Sequence, residues 1–132
     1  MSVLIVSMEE KMVQSYKDLI VWQRAMDVVI EVCKLVKLLP KEETYALSDQ
    51  MRRSAVSIPS NIAEGQGRNS TKEYLQFLSI AKGSICELET QLIICNKTNY
   101  LTAEQTAAVE EMLQETGKML NALMKKLRQV KN

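Results

Sequence analysis

Apolar residues recur along this chain at the three- and four-residue steps of an amphipathic helix, and no stretch alternates like a strand. The spacing predicts four helices. The first runs from about Leu19 to Leu38, with Trp22, Ala25, Met26, Val29, Cys33 and Val36 as its stripe. Asp18, or else Ser15, suits its N-cap, and Pro40 stops it. The second runs from about Glu42 to Glu64, striped by Leu47, Met51, Ala55, Ile58 and Ile62. Pro59 lies inside it, removes one backbone hydrogen bond and crowds the Ala55 carbonyl, which predicts a kink. Gly65 is the expected stop.

The third helix runs from about Thr71 to Asn96, behind a Ser70-x-x-Glu73 capping pattern, with Tyr74, Phe77, Leu78, Ala81, Ile85, Leu88, Leu92 and Cys95 in register. The fourth runs from about Ala103 to Arg128, behind Thr102-x-x-Gln105, with Val109, Met112, Leu113, Thr116, Leu120, Leu123 and Leu127. The intervening segments, Leu39 to Lys41, Gln66 to Ser70 and Lys97 to Leu101, are short. Short loops between long helices force antiparallel neighbours, so the expected fold is all-α, an up-and-down antiparallel four-helix bundle. Residues 15–132 make one such domain. Residues 1–14 read as a loosely ordered extension without the basic leader of a signal peptide, and Met8 or Met12 offers an alternative start.

The stripes are wider than one subunit needs. Helix one also carries Ile20, Val21, Val28, Ile30, Val32 and Leu35, and helix three holds the run Leu92-Ile93-Ile94-Cys95. Surface helices usually show a polar outer face, so a second buried face, and hence a homo-oligomer, is expected.

Composition narrows the function classes. At 132 residues and 46% apolar content, the chain can bury a core without disulfides or a structural metal. Cys33, Cys86 and Cys95 are odd in number and form no C-x-x-C pair, so they read as small buried hydrophobes in a reducing, cytoplasmic setting. No apolar run approaches the length of a membrane span. Histidine is absent, which removes the commonest general base and metal ligand. No cofactor or metal is indicated, and the expected role is non-enzymatic.

The net charge of +1 provides no global field for nucleic acid. Local clusters exist, however. Arg52 and Arg53 are adjacent, Arg68 and Lys72 flank the turn after helix two, and Lys125, Lys126 and Arg128 close helix four, where Glu115 is the last acidic residue. One reading is a solvated helix end whose cations complement the dipole. The other is a phosphate-binding surface for structured RNA, multiplied by oligomer symmetry. Little aromatic interleaving accompanies these charges, so base stacking is not indicated.

The stretch Asn61 to Arg68 holds the only Gly-rich turn. It follows a helix rather than a strand, which suits a helix stop and restart better than a phosphate cradle. Glu64 and Glu87 lie in partly apolar helices; Glu64 can reach Arg68 across the turn, or Arg52 or Arg53 on a neighbouring chain, and with Asn61 and Ser84 the two carboxylates suggest a polar network that fixes helix register, with an acid–base pair as the competing idea. Trp22 and Tyr45 fit a core or subunit contact better than a ligand site.

Tyr16-Lys17-Asp18-Leu19 with Trp22 and Ala25, then Pro40, Glu43 and Leu47, then Gln50, Arg52, Arg53, Ala55, Ser57, Ile58, the run Asn61-Ile62-Ala63-Glu64-Gly65 and Arg68, then Phe77, Ala81, Ser84 and Glu87, form a pattern. It resembles the bacterial four-helix bundle family of 23S rRNA intervening-sequence proteins over about Tyr16 to Arg128. The resemblance implies a ring-like homopentamer. It also implies a distant relation to the accessory proteins of diversity-generating retroelements, which bind nucleic acid and a reverse transcriptase. Structured RNA, or an enzyme acting on nucleic acid, is thus the implied partner, and a protein partner encoded nearby is the alternative. The family offers no catalytic residues to carry over.

Overall fold

The computed structural model describes residues 15–130, and among these every regular element is helical. The expected extension at residues 1–14 and the basic Lys131 lie outside the described residues, as do the side chains of Thr44 and Tyr45. The four long helices are α1 (Ile20–Val36), α2 (Asp49–Gln66), α3 (Thr71–Lys97) and α4 (Ala103–Gln129). α1 packs on α2 and α4, and α3 packs on the same two, giving an antiparallel square. One end of the bundle gathers the start of α1, the α2–α3 turn and the end of α4. The opposite end gathers the α1–α2 and α3–α4 connections.

The core runs down the middle of this square. Val28, Val32, Met51, Ile58, Ile62, Leu88, Leu92, Leu113 and Leu120 are fully buried. Each such side chain contributes about 1.5–3 kcal/mol by leaving water. Neighbouring helices add their own ties. Ser84 Oγ donates to Ser57 Oγ at 2.8 Å, Cys95 Sγ lies 3.7 Å from Met51 Sδ, and Arg24 pairs with Glu115 at 3.3 Å.

The helix ends differ from the sequence expectation in instructive ways. Leu19, not Asp18, is the α1 N-cap, and Ser15 instead caps a short 3-10 turn at Tyr16–Asp18, its hydroxyl accepting from the Lys17 amide at 3.1 Å. α2 begins at Asp49; a 3-10 turn at Lys41–Glu43 and a π-helical turn at Thr44–Ser48 precede it. α2 then runs unbroken through Pro59. Gly65 does not stop the helix. Its φ is not positive, it is buried, and the helix continues to Gln66, with Gly67 as the C-cap. Thr102 and Gln105 complete a reciprocal capping box at α4. Ser70 accepts from the Glu73 amide at 3.1 Å, while its hydroxyl meets the Glu73 carboxylate. At the α3–α4 connection Asn99 takes φ 64°, and the Tyr100 and Leu101 amides both return to the Cys95 carbonyl.

The largest correction concerns α1. Its buried face is Val21, Ala25, Val28, Val32, Leu35 and Val36. Of the expected stripe only Ala25 and Val36 are buried; Trp22, Met26, Val29 and Cys33 are half-buried on the adjoining face. Both sets follow helical spacing, so periodicity alone could not decide which faces inward. The cysteines also separate. Cys95 is buried, Cys33 half-buried and Cys86 exposed.

Candidate functional site

The seven cations singled out in the sequence divide between the two ends of the bundle. Arg52 and Arg53 lie near the start of α2, at the end that holds the α1–α2 connection. Arg53 is exposed and tied to Asp49 at 3.1 Å, an ordinary i,i+4 pair. Arg68 lies roughly 20 Å further along the α2 axis, at the rise of a helix. The two arginines therefore do not join the others in one surface.

Three of the remaining five, Arg68, Lys72 and Arg128, converge. Arg68 leaves the α2–α3 turn, and Lys72 sits in the first turn of α3. A groove of about 550 Å³ brings Lys72, Leu75 and Gln76 against Leu127 and Arg128 of α4. Beside it, a cleft of about 430 Å³ holds Arg68, Asn69, Ser70 and Tyr74 against Leu127 and Val130. Lys125 and Lys126 are exposed near the end of α4 and line neither cleft. Chain connectivity causes the convergence. The antiparallel order returns the end of α4 to the start of α3, and α4 is charge-segregated. Its acids Glu104, Glu110, Glu111 and Glu115 precede all of its cations. The first turn of α4 thus carries Glu104 and the last turn Lys126 and Arg128, the arrangement that the helix dipole favours.

Arg68 is held, not loose. Its guanidinium pairs with Glu64 at 3.1 Å and lies 4.6 Å from the centre of the Phe77 ring. A cation over an aromatic face gains about 0.5–1 kcal/mol at such partly exposed sites. Gly65 makes the arrangement fit. A Cβ there would lie 2.9 Å from Phe77 Cβ and 3.0 Å from the Tyr74 ring, so only glycine lets α3 approach α2 this closely. In the sequence Gly65 reads as punctuation; Tyr74 and Phe77, the large residues that open α3, are the signal for its packing role.

The four residues expected to form one polar network fall into separate sites. Asn61 and Ser84 do meet, through Ser57, which was not among the four. Asn61 Nδ2 donates to the Ser57 carbonyl at 2.8 Å and to its hydroxyl at 2.9 Å. Glu64 pairs with Arg68 across the turn, one of the partners the sequence allowed, and Glu87 is exposed. The Ser57–Ser84 contact fixes the register of the antiparallel pair. Glu64 lies seven residues from it toward one end and Glu87 three toward the other, so the two carboxylates are separated by about 15 Å along the axis. Carboxyl pairs that share acid–base work lie within about 10 Å.

Among the described residues, Cys95 and Tyr100 have shifted acidity. Burial, assisted by Glu43, pushes the Cys95 thiol up. The Glu43 carboxylate, 3.4 Å from its hydroxyl, raises Tyr100. Both lie at the end away from the basic cleft. Among the described residues no group of three His, Cys, Asp or Glu side chains could hold a metal, and no helix is long and apolar enough to cross a membrane.

Known proteins are similar to the chain in sequence and in fold. The model of the 23S rRNA-intervening sequence protein family matches residues 17–122. A crystal structure of a protein with unknown function from the S23 ribosomal protein family of Bacteroides thetaiotaomicron VPI-5482 is similar. It is 28% identical with a TM-score of 0.75, covering 80% of this chain and 99% of that one. No curated protein matches.

Proposed function

The chain belongs to the 23S rRNA-intervening sequence protein family, and from that premise we propose that it is a non-enzymatic, self-associating helical bundle that binds structured RNA through one basic end. The observation that carries this reading is the convergence of Arg68, Lys72 and Arg128 from two chain segments onto adjoining clefts, with Lys125 and Lys126 exposed nearby on α4. Phosphate contacts of this kind supply affinity without base readout, which suits a rim of long cationic side chains with few aromatics. The 15 Å between Glu64 and Glu87, and the engagement of Glu64 with Arg68, favour binding over acid–base catalysis.

Self-association is supported by apolar side chains left open on three helices. Ile30 and Leu38 of the α1 region, Val56 of α2, and Ile80, Ile93 and Ile94 of α3 keep roughly half of their surface in water. A ring of several copies, the pentamer implied by the family resemblance, would cover such residues and repeat the basic end around an axis. Three free cysteines suit work in a reducing cytoplasm.

An electrophoretic shift of a structured RNA hairpin at low salt tests the RNA reading. The native chain is expected to shift it. A variant with Lys72, Lys125, Lys126 and Arg128 changed to Gln is expected to fail, while Arg52→Gln with Arg53→Gln retains the shift. Absence of a native shift, or equal loss in both variants, overturns the proposal. The open isoleucines favour a second reading, a scaffold for a protein partner with no nucleic acid bound. Co-purification of a stoichiometric protein partner without any RNA shift would select it. Light scattering at micromolar concentration tests self-association, and a mass equal to one 15.0 kDa chain contradicts it.

A further inference from the structure

Two faces of the subunit carry apolar side chains that none of the four helices covers. One is a groove between α1 and α2. Trp22, Met26 and Val29 form one wall and Val56, Pro59 and Ala63 the other, around a cavity of about 290 Å³. Val56 projects from its wall, 48% exposed. The other face is a stripe on α3. Ile80, Gly83, Glu87 and Ile94 recur there at three-, four- and seven-residue steps, and all four are exposed. Ile80 keeps 51% of its surface in water and Ile94 41%. Gly83 leaves a gap in the stripe, and no neighbouring element lies within 4 Å of a Cβ built there.

The two faces complement each other in shape and in charge. A helix laid parallel to α1 keeps step with it, because both rise by about 1.5 Å per residue. With Ile80 over the cavity beside Met26, Gly83 falls three residues on, level with Val29. The projecting Val56 of the opposite wall then meets the gap at glycine. Glu87 lies seven residues beyond Ile80, and Cys33 seven beyond Met26, so these two are level. Lys37 stands one turn past Cys33 on the same line of α1. Helical side chains lean toward the N-terminus, which carries the Lys37 ammonium back over that level. Among the described residues neither Glu87 nor Lys37 has an ion-pair partner within the subunit. Ile94, a further seven residues along, ends near Leu38, itself 55% exposed.

Resting on the reading that the chain self-associates, we propose that the α3 stripe of one copy seats in the α1/α2 groove of the next, with Ile80 in the cavity and Glu87 beside the partner subunit's Lys37. The occupant of the groove is thus a second copy of this chain. The surfaces that meet are different, so the contact is heterologous, and every subunit offers one of each. Repetition of such a contact closes into a ring when the rotation between neighbours closes.

Spoiling one face at a time tests this. Gly83→Leu blocks the α3 stripe and Val56→Glu blocks the groove. Both positions are exposed, so the core of the subunit is untouched, which helical circular dichroism checks. In light scattering at micromolar concentration the native chain is expected to be an oligomer and each variant to have the mass of one chain. Mixed one to one, the variants are expected to pair as a two-chain complex, because each supplies the face that the other lacks. Trp22, the only tryptophan, lines the groove, so its emission is expected to shift to the blue on mixing. A native chain with the mass of one copy overturns self-association and this contact with it. A native oligomer that survives in either variant overturns this contact alone and leaves self-association standing. So do single-chain variants that fail to pair, the result for a contact between like faces or for a groove filled from within its own chain. Glu87→Lys is expected to raise the concentration at which the oligomer dissociates by about tenfold or more, and Lys37→Glu in the same chain to restore it. Failure of the second change to restore it overturns the assigned register.

Discussion

Replacing Gly65 with alanine tests whether close α2–α3 contact, rather than backbone freedom, is the reason for glycine there. The added methyl would stand 2.9 Å from Phe77 Cβ, 3.0 Å from the Tyr74 ring and 3.2 Å from the Tyr74 carbonyl oxygen. A Cβ and a backbone carbonyl cannot swing aside, so α3 itself must shift. Overpacking of this kind costs about 1–3 kcal/mol. Alanine regains about 1 kcal/mol of helix propensity. The net loss is therefore up to about 2 kcal/mol, a fall in Tm of up to several degrees for a chain of this size. Gly83 and Gly117 are the internal controls, because nothing lies within 4 Å of a Cβ built at either position. Gly83→Ala and Gly117→Ala are expected to stabilise by about 0.5–1 kcal/mol each. Urea unfolding followed by helical circular dichroism measures all three. A Gly65→Ala chain as stable as Gly83→Ala would refute the packing argument. Displacing Phe77 also disturbs the surface that Arg68 lies on, so Gly65→Ala should weaken any binding at the basic end.

Further outcomes follow from single contacts. Ser57→Ala leaves the Asn61 amide and the Ser84 hydroxyl without their shared partner and should cost about 1 kcal/mol; a double-mutant cycle with Ser84→Ala should show coupling of about 0.5 kcal/mol or more. Thiol labelling of the folded chain should proceed at Cys86 first, at Cys33 more slowly and at Cys95 only on unfolding, because Cys95 is buried and its thiolate is disfavoured; early labelling of Cys95 by peptide mapping would contradict the core. Tyr100 is raised in the folded chain by Glu43, so the unfolded chain loses this proton first as the pH climbs. Stability from that contact is thus complete below the ordinary tyrosine range of about 10 and declines as pH rises through the folded value. Unfolding midpoints taken across that range should fall less steeply in Tyr100→Phe.

Much of the fold was legible because four long periodic segments, short loops and two capping patterns all point the same way. What the pattern could not give was orientation. In α1 two apolar faces share the same period, and only the positions of α2 and α4 decide that Val28 and Val32 turn inward while Trp22 and Val29 line a groove. The start of α2 was obscured because Glu42 and Glu43 suit a first helical turn whether that turn is 3-10 or α. The basic cluster was visible as charges but not as a place. Arg52 and Arg68 flank one helical segment in the sequence and stand at opposite ends of the bundle, whereas Lys72 and Arg128, far apart in sequence, line one groove. Glu64 illustrates a local rule overriding a distant one, since Arg68 four residues on claims it before any network with Ser84 can.

The salt dependence of RNA affinity tests the proposed basic end most directly. For the native chain log K should fall linearly with log salt. Changing Lys72, Lys125, Lys126 and Arg128 to Gln should reduce the magnitude of that slope by up to about 3.6, at close to 0.9 for each phosphate that is no longer neutralised. An unchanged slope in this variant, or one reduced equally by neutralising Arg52 and Arg53 alone, would place the binding surface elsewhere and contradict the assignment.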